Sequence, residues 1–159
     1  MAKQHNYSLN IKWTGNKGEG TTRYDAYDRS YIISGENKVA ILGSADAPFR
    51  GDITKYNPED LLLASLSSCH MLWYFHLCAD AGIIVTDYID NPTGILVQNE
   101  TGSGSFSEVT LNQTVIVSDN SMIEKANQLH EKANQFCFIA NSVNFKVKHN
   151  PTCKVQCKL

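Results

Sequence analysis

Five cysteines and five histidines hold most of the chemistry this 159-residue chain could perform. A thiol acts as a nucleophile or metal ligand only as thiolate, and an unperturbed cysteine is only a few per cent ionised at neutral pH. Cys69 lies in Leu66-Ser67-Ser68-Cys69-His70-Met71, within an apolar stretch, where a cysteine is ordinarily a small buried hydrophobe. Cys78, nine residues on, shares no CxxC spacing with it and reads as the structural cysteine of the same segment. Cys137 sits between Phe136 and Phe138, either packed between aromatics or at a turn whose backbone N–H groups lower a thiol pKa. Cys153 and Cys157 follow His149, but these three would give zinc at most three of its four ligands, so no metal site is expected.

His70, His76 and His130 raise the possibility of a cysteine hydrolase, which needs a histidine base within hydrogen-bond reach of the sulfur. His70, one residue from Cys69, points about 100° away around a helix, and His76 lies roughly 10 Å along the axis. Neither serves as a base without help from elsewhere in the fold. Glu59 stands ten residues before Cys69, roughly 15 Å along a helix. It either caps its own helix or reaches a thiol only through a second copy of the chain.

The elements that must position these residues follow from local signals. Tyr7–Trp13 alternates apolar and polar, Thr14–Gly18 is a turn, and Thr21–Tyr27 is expected to return as a second strand. Tyr31–Ser34 and Val39–Leu42 complete four short strands. Asn57 as N-cap, Pro58 at the first helical position and Glu59-Asp60 behind it start a helix that Gly82 stops. Apolar residues occupy more than one face of that helix, which predicts a central position. Strands are expected over Ile83–Tyr88, Thr93–Gln98 and Ser105–Val117, the last as one long strand. A second helix over Ser121–Gln135, with Ile123, Ala126, Leu129 and Ala133 on one face, precedes a closing strand over Val143–Lys148. This order predicts a single α+β domain over residues 1–159 with a mainly antiparallel sheet.

Composition narrows the function. A formal net charge of -2 without a basic block offers no face for nucleic acid. Leu61–Ala79 is apolar but carries three serines and two histidines, which argues against an unassisted membrane span, and Met1–Asn10 lacks the apolar core of a secretory signal. An odd cysteine count without a disulfide framework fits a reducing cytoplasm.

The segments Asn57-Pro58-Glu59-Asp60-Leu61-Leu62 and Ala64-Ser65-Leu66-Ser67-Ser68-Cys69 resemble the Asn-Pro-Glu…Cys helix of the OsmC/Ohr family. Cys137 with Ser142 and the following strand resembles that family's second catalytic segment, and the wording around both cysteines resembles a subgroup distinct from the Ohr branch. The resemblance covers about Tyr7 to Val147 and leaves out Cys153 and Cys157. It implies an intertwined homodimer, two central helices wrapped by sheets, with active sites at the subunit interface. It implies reduction of organic hydroperoxides to alcohols by Cys69, resolution by Cys137, and recharging by a small dithiol or thiol protein of lipoyl type, with no cofactor. It further implies an arginine that holds thiolate and peroxide. Arg50 in Phe49-Arg50-Gly51-Asp52 is the first choice, oriented by Glu59, with Arg23 and Arg29 as alternatives. A redox-sensing or ligand-binding relative with little turnover is the other reading, since fold does not fix activity. Trp73, Tyr74, Phe75, Phe136 and Phe138 would either line an apolar substrate pocket or form core.

Overall fold

The computed structural model describes residues 3–155. The chain forms two compact units, residues 1–61 and 62–159. The fold is α+β, with two α-helices and three three-stranded sheets among the described residues.

In the first unit β1 (Asn10–Trp13), β2 (Tyr31–Ser34) and β3 (Ile41–Gly43) form an antiparallel sheet in that order. Gly43 is required there, because a Cβ would run into the ring of its register partner Tyr31. The strand expected over Thr21–Tyr27 is not formed; the segment is turns and bends as far as Tyr27, which makes a single antiparallel bridge to Asn16. Arg29 explains the difference, since its guanidinium donates to the carbonyls of Tyr24 and Tyr27, both at 2.6 Å, and takes up the acceptors a ladder would use.

The first long helix, α1 (Pro58–Asp80), starts and stops where local chemistry dictates. The Asp60 N–H donates to Asn57 Oδ1 at 2.7 Å, and Asp60 Oδ2 accepts from the Asn57 N–H at 3.2 Å, a reciprocal cap. At the other end Gly82 adopts φ 72°, with Ile83 N–H donating to the Cys78 carbonyl and Gly82 N–H to that of Ala79. That is a Schellman termination, which a Cβ at Gly82 would strain.

The second unit is built on a bent ribbon. Strands β4 (Val85–Asp90) and β5 (Thr93–Gln98) run antiparallel to β7 (Gln113–Val117) and β6 (Gly104–Leu111) respectively. Two strands missing from, or shortened relative to, the expected set, β8 (Lys146–His149) and β9 (Thr152–Val155), add in parallel to β6 and β7. The sheet orders are thus β5-β6-β8 and β4-β7-β9, mixed rather than wholly antiparallel. The single long strand expected over Ser105–Val117 breaks at Asn112, whose N–H donates to Asp90 Oδ1 at 2.7 Å instead of to a neighbouring strand. Prolines interrupt the flanking strands at the same level, Pro92 between β4 and β5 and Pro151 between β8 and β9, where a missing N–H ends the ladder.

The bend does not change which side faces inward. Val109, Leu111, Gln113, Val115 and Val117 are all buried. Against this row α1 lays Leu66, His70, Tyr74 and Leu77, one face of the helix. Helix α2 (Ile123–Phe136), entered through a short turn capped by Asp119, buries Ala126, His130 and Ala133. The core is two apolar clusters, one around Leu66, Val109 and Leu111, the other around Tyr74, Leu77, Val115, Val117, Ala126 and Ala133. Between their contributing positions stand polar residues: His70 between Leu66 and Tyr74, and Gln113 between Leu111 and Val115.

The central position expected for α1 is met on one face only; Leu72 on another is 63% exposed. By length and composition alone α1 would suffice to cross a membrane, contrary to what its serines and histidines suggest, yet its His70 and Tyr74 are packed inside the protein.

Three histidines meet in the polar level of the core. His70 Nε2 and His130 Nδ1 lie 2.9 Å apart, and the His149 ring is 4.7 Å from that of His70. Burial, with mutual repulsion, holds His70 at about 3 and His130 at about 4, and lowers His149 despite Asp90 nearby. In the unfolded chain these rings titrate near 6.5, so below that pH the unfolded state binds protons that the folded state refuses. Stability is therefore retained above pH 6.5 and falls as pH drops toward the folded values. Between pH 7 and pH 5 the expected loss is about 2 kcal/mol for each of His70 and His130. Urea unfolding at the two pH values measures it; equal stabilities would show that the rings are not held neutral.

Candidate functional site

The sequence places Cys69 and Cys137 far apart, and the fold of the second unit brings them into contact. Cys69 lies in the middle of α1 and is half-buried. Cys137 caps the C-terminus of α2, its backbone leaving the helix at φ −66°, ψ 110°, and its side chain is 1% exposed. The two thiols are close enough that Cys69 contributes to raising the Cys137 pKa. Cys137 Sγ accepts the Ala140 N–H at 3.4 Å, and the Cys137 carbonyl accepts the Asn141 N–H at 3.0 Å, so a tight turn folds around the sulfur.

The expectation that turn N–H groups would lower the Cys137 pKa is reversed. Burial pushes the thiol up to about 11, assisted by the neighbouring Cys69 thiol, and the N–H groups of Ala140 and Ile139 offset only part of this. The two cysteines are thus unlike: Cys137 is sealed and held as thiol, while Cys69 has access to solvent.

An aromatic cluster flanks the pair. Trp73 packs on Phe136 at 5.1 Å and edge-on to Phe138 at 5.7 Å between ring centroids. Leu72, Trp73, His76 and Phe138 line an open, largely apolar cleft of about 350 Å³. Three of these stand three, four and seven residues after Cys69, on the same face of α1, and Phe138 adjoins Cys137. Of the aromatics singled out by sequence, Trp73, Phe136 and Phe138 make this cluster, with Trp73 and Phe138 lining the cleft; Tyr74 is core and Phe75 packs against the core.

The remaining expected residues, Glu59 and Arg50, belong to the first unit. Glu59 is half-buried in the first turn of α1, and its charge, with that of Asp60, adds to burial in raising the Tyr31 phenol pKa. Arg50 holds a left-handed conformation, φ 64°, at the end of a short turn. It lines a polar cleft with Asp28, Arg29, Ser44, Asp52 and Lys55. Among the described residues Arg50 makes no ion pair and no side-chain hydrogen bond. Arg23 is instead paired with Glu19 and Asp25, and Arg29 is held by two carbonyls and the rings of Tyr24 and Tyr27.

The other cysteines and histidines have structural surroundings. Cys78 is buried in the core, which pushes its thiol up, and Cys153 packs beside that cluster from β9. His149 and Cys153 are sheet residues, and Cys157 lies outside the described residues. Among the described residues no cluster of three or more His, Cys, Asp or Glu is arranged to hold a metal ion. His70 faces the core with its Nε2 against His130, and His76 pairs with Asp80 at 3.5 Å on the surface. Sequence reasoning weighed His130 only as a base for a thiol and His149 only as a zinc ligand, missed that both join His70 in the core, and did not single out Gln113. The available signal was His130 on the apolar stripe of α2, four residues after Ala126 and three before Ala133.

Comparison with known proteins agrees with this architecture. No curated protein matches the chain. An OsmC-like protein of unknown function from Vibrio cholerae is 30% identical, with TM-score 0.82 over 94% of this chain and 100% of that one. An organic hydroperoxide resistance protein from Elizabethkingia anophelis shares the fold at 20% identity, TM-score 0.67, over 97% and 100% of the two chains. A putative organic hydroperoxide resistance protein from Vibrio cholerae, with captopril in one of its active sites, does so at 20% identity, TM-score 0.62, over 96% and 93%. The family pattern described as OsmC-like protein matches residues 50–152, a span that includes Arg50, Glu59, Cys69 and Cys137, and the chain belongs to that family.

Proposed function

We propose that this protein is a thiol-dependent peroxidase that reduces organic hydroperoxides to alcohols. The observation that carries the reading is the contact between two unlike thiols, a half-exposed Cys69 and a sealed, protonated Cys137. The family's association with organic hydroperoxide resistance supports the substrate class.

In this reading the Cys69 thiolate attacks the distal peroxide oxygen, the O–O bond breaks, and the alkoxide takes a proton to leave as alcohol. Cys69 is left as sulfenic acid. The Cys137 thiol then attacks that sulfur, forming the Cys69–Cys137 disulfide, and its proton leaves with the hydroxide as water. A small dithiol or a thiol protein, of lipoyl type, returns both sulfurs to thiols by exchange. Sealing Cys137 suits a resolving role: it stays unreactive toward peroxide until a sulfenic acid forms beside it.

Arg50, unengaged among the described residues, is assigned to the thiolate and the peroxide, and Glu59 to orienting that guanidinium. A homodimer within one OsmC-like domain architecture brings these groups to the thiols. Its support is apolar surface left uncovered in each unit: Tyr7, Ile11, Val39 and Ile53 in the first, Leu72 and Phe138 in the second. A cytoplasmic location would keep the pair reduced between turnovers.

Treating the reduced protein with cumene hydroperoxide should remove two thiols per chain by titration, and Cys69→Ser should abolish the loss. An unchanged thiol count would replace the enzyme with a ligand-binding or redox-sensing relative. Cys137→Ser should leave the first peroxide reaction intact and stop recycling, so that mass spectrometry finds a persistent Cys69 sulfenic acid; normal multiple turnover by that variant would remove Cys137 from the mechanism. Arg50→Ala and Glu59→Gln should each slow oxidation of Cys69 by about tenfold to a hundredfold in stopped-flow, a loss of about 1.4 to 3 kcal/mol of transition-state stabilisation. Rates within a factor of two of the parent would send the cationic role to Arg23 or Arg29.

A further inference from the structure

The helices that carry the two reactive sulfurs are joined a turn or two away by a second contact. His70 follows Cys69 directly on α1, and His130 lies seven residues before Cys137 on α2. Their rings are 4° from coplanar with centroids 5.3 Å apart, the spacing that an in-line 2.9 Å bond between Nε2 of His70 and Nδ1 of His130 leaves once the ring radii are added. This is an edge-to-edge N–H···N hydrogen bond, not a ring stack. Tyr74, one turn on from His70, lies over the His130 ring at 4.0 Å, and His149 lies over His70 at 4.7 Å. His70 and His130 are 1% and 2% exposed.

The other ring contacts between α1 and α2 are non-directional packing, Trp73 against Phe136 and Tyr74 over His130. Such contacts tolerate small sliding. A buried directional hydrogen bond does not, because displacing one ring leaves a second nitrogen unpartnered on each side, where the outer nitrogens His70 Nδ1 and His130 Nε2 already have no protein partner. Disulfide formation in turn demands a narrow window of separation and direction between the two backbones.

From this geometry we infer that the His70–His130 hydrogen bond is a latch that fixes α2 against α1 and so positions Cys137 for disulfide formation with Cys69. The two histidines are positioning residues and do not touch the reacting atoms. The inference rests on the disulfide chemistry proposed above. The latch also has a definite polarity. Only Nε2 of residue 70 and Nδ1 of residue 130 meet, so a side-chain amide restores it only when its polar end falls at that nitrogen: asparagine at 130, glutamine at 70.

The test compares His130→Leu, His130→Asn and His130→Gln in the full chain. Two readouts are used: the disulfide equilibrium in dithiothreitol buffers, quantified on the Cys69 and Cys137 peptides, and the rate of Cys137 alkylation by iodoacetamide in the reduced protein. His130→Leu should lower the disulfide equilibrium constant at least tenfold, about 30 mV toward oxidising potentials, and speed alkylation of Cys137 at least tenfold. His130→Asn should return both to within about threefold of the parent, and His130→Gln should not. Equal values for Leu and Asn, or Asn no better than Gln, overturn the latch. Should His130→Leu not fold, the comparison of Asn with Gln decides for or against the latch by itself, as does His70→Gln against His70→Asn. A parent protein that forms no Cys69–Cys137 disulfide while alkylation still separates Asn from Gln would sink the peroxidase reaction and leave the latch standing. A parent disulfide with no difference among the variants does the reverse.

Discussion

The structure of the second unit depends on α1 burying one face against an unbroken row of ribbon side chains. Leu66, His70, Tyr74 and Leu77 meet Val109, Leu111, Gln113, Val115 and Val117, and α2 closes over the result with Ala126, His130 and Ala133. Apolar burial at about 25 cal/mol per Å² drives that association but does not choose among nearby registers. The buried polar positions do, because a slip in register would carry His70 or Gln113 into an apolar cluster. The cost is visible in the orphaned ring and amide atoms of His70, His130, His149 and Gln113.

Once α1 is fixed, the thiol pair follows. Cys69 points off the buried face by virtue of its place beside His70, and α2 ends where Cys137 can turn back through the Ala140 N–H toward it. The same turn that delivers Cys137 also buries it, and burial outweighs the backbone dipoles around it. The asymmetry between the sulfurs therefore comes from which part of the fold each occupies, not from a distinctive local motif.

Signals in the sequence hold where the physics is local. Asn57, Pro58 and Gly82 bound α1 as their capping chemistry requires, and Asp119 starts the second helical region. Signals fail where a long-range partner decides. Asp90 intercepts the Asn112 N–H and splits a strand whose alternation looks continuous, and Arg29 claims the carbonyls that a strand over Thr21–Tyr27 would need. Thr152–Val155 is too short and too close to a proline to stand out, and it is a strand only because β7 offers it an edge. The proximity of Cys69 to Cys137 is legible only through the family resemblance, since no spacing rule links residues so distant in the chain. Of the histidine level only His130 leaves a trace, on the apolar stripe of α2; its meeting with His70 and His149 depends on contacts between elements far apart in the chain.

The bend at Asn112 constrains how this family member can change in length. A single residue separates β6 from β7, and inward-facing positions keep the same odd-numbered parity on both sides. Adding or deleting one residue there would rotate everything downstream by half a period, offering Thr114 and Ile116 to the helices and turning Val115 and Val117 outward. Insertions at this hinge are thus tolerable only in even steps, a rule of inheritance imposed by pleat geometry alone.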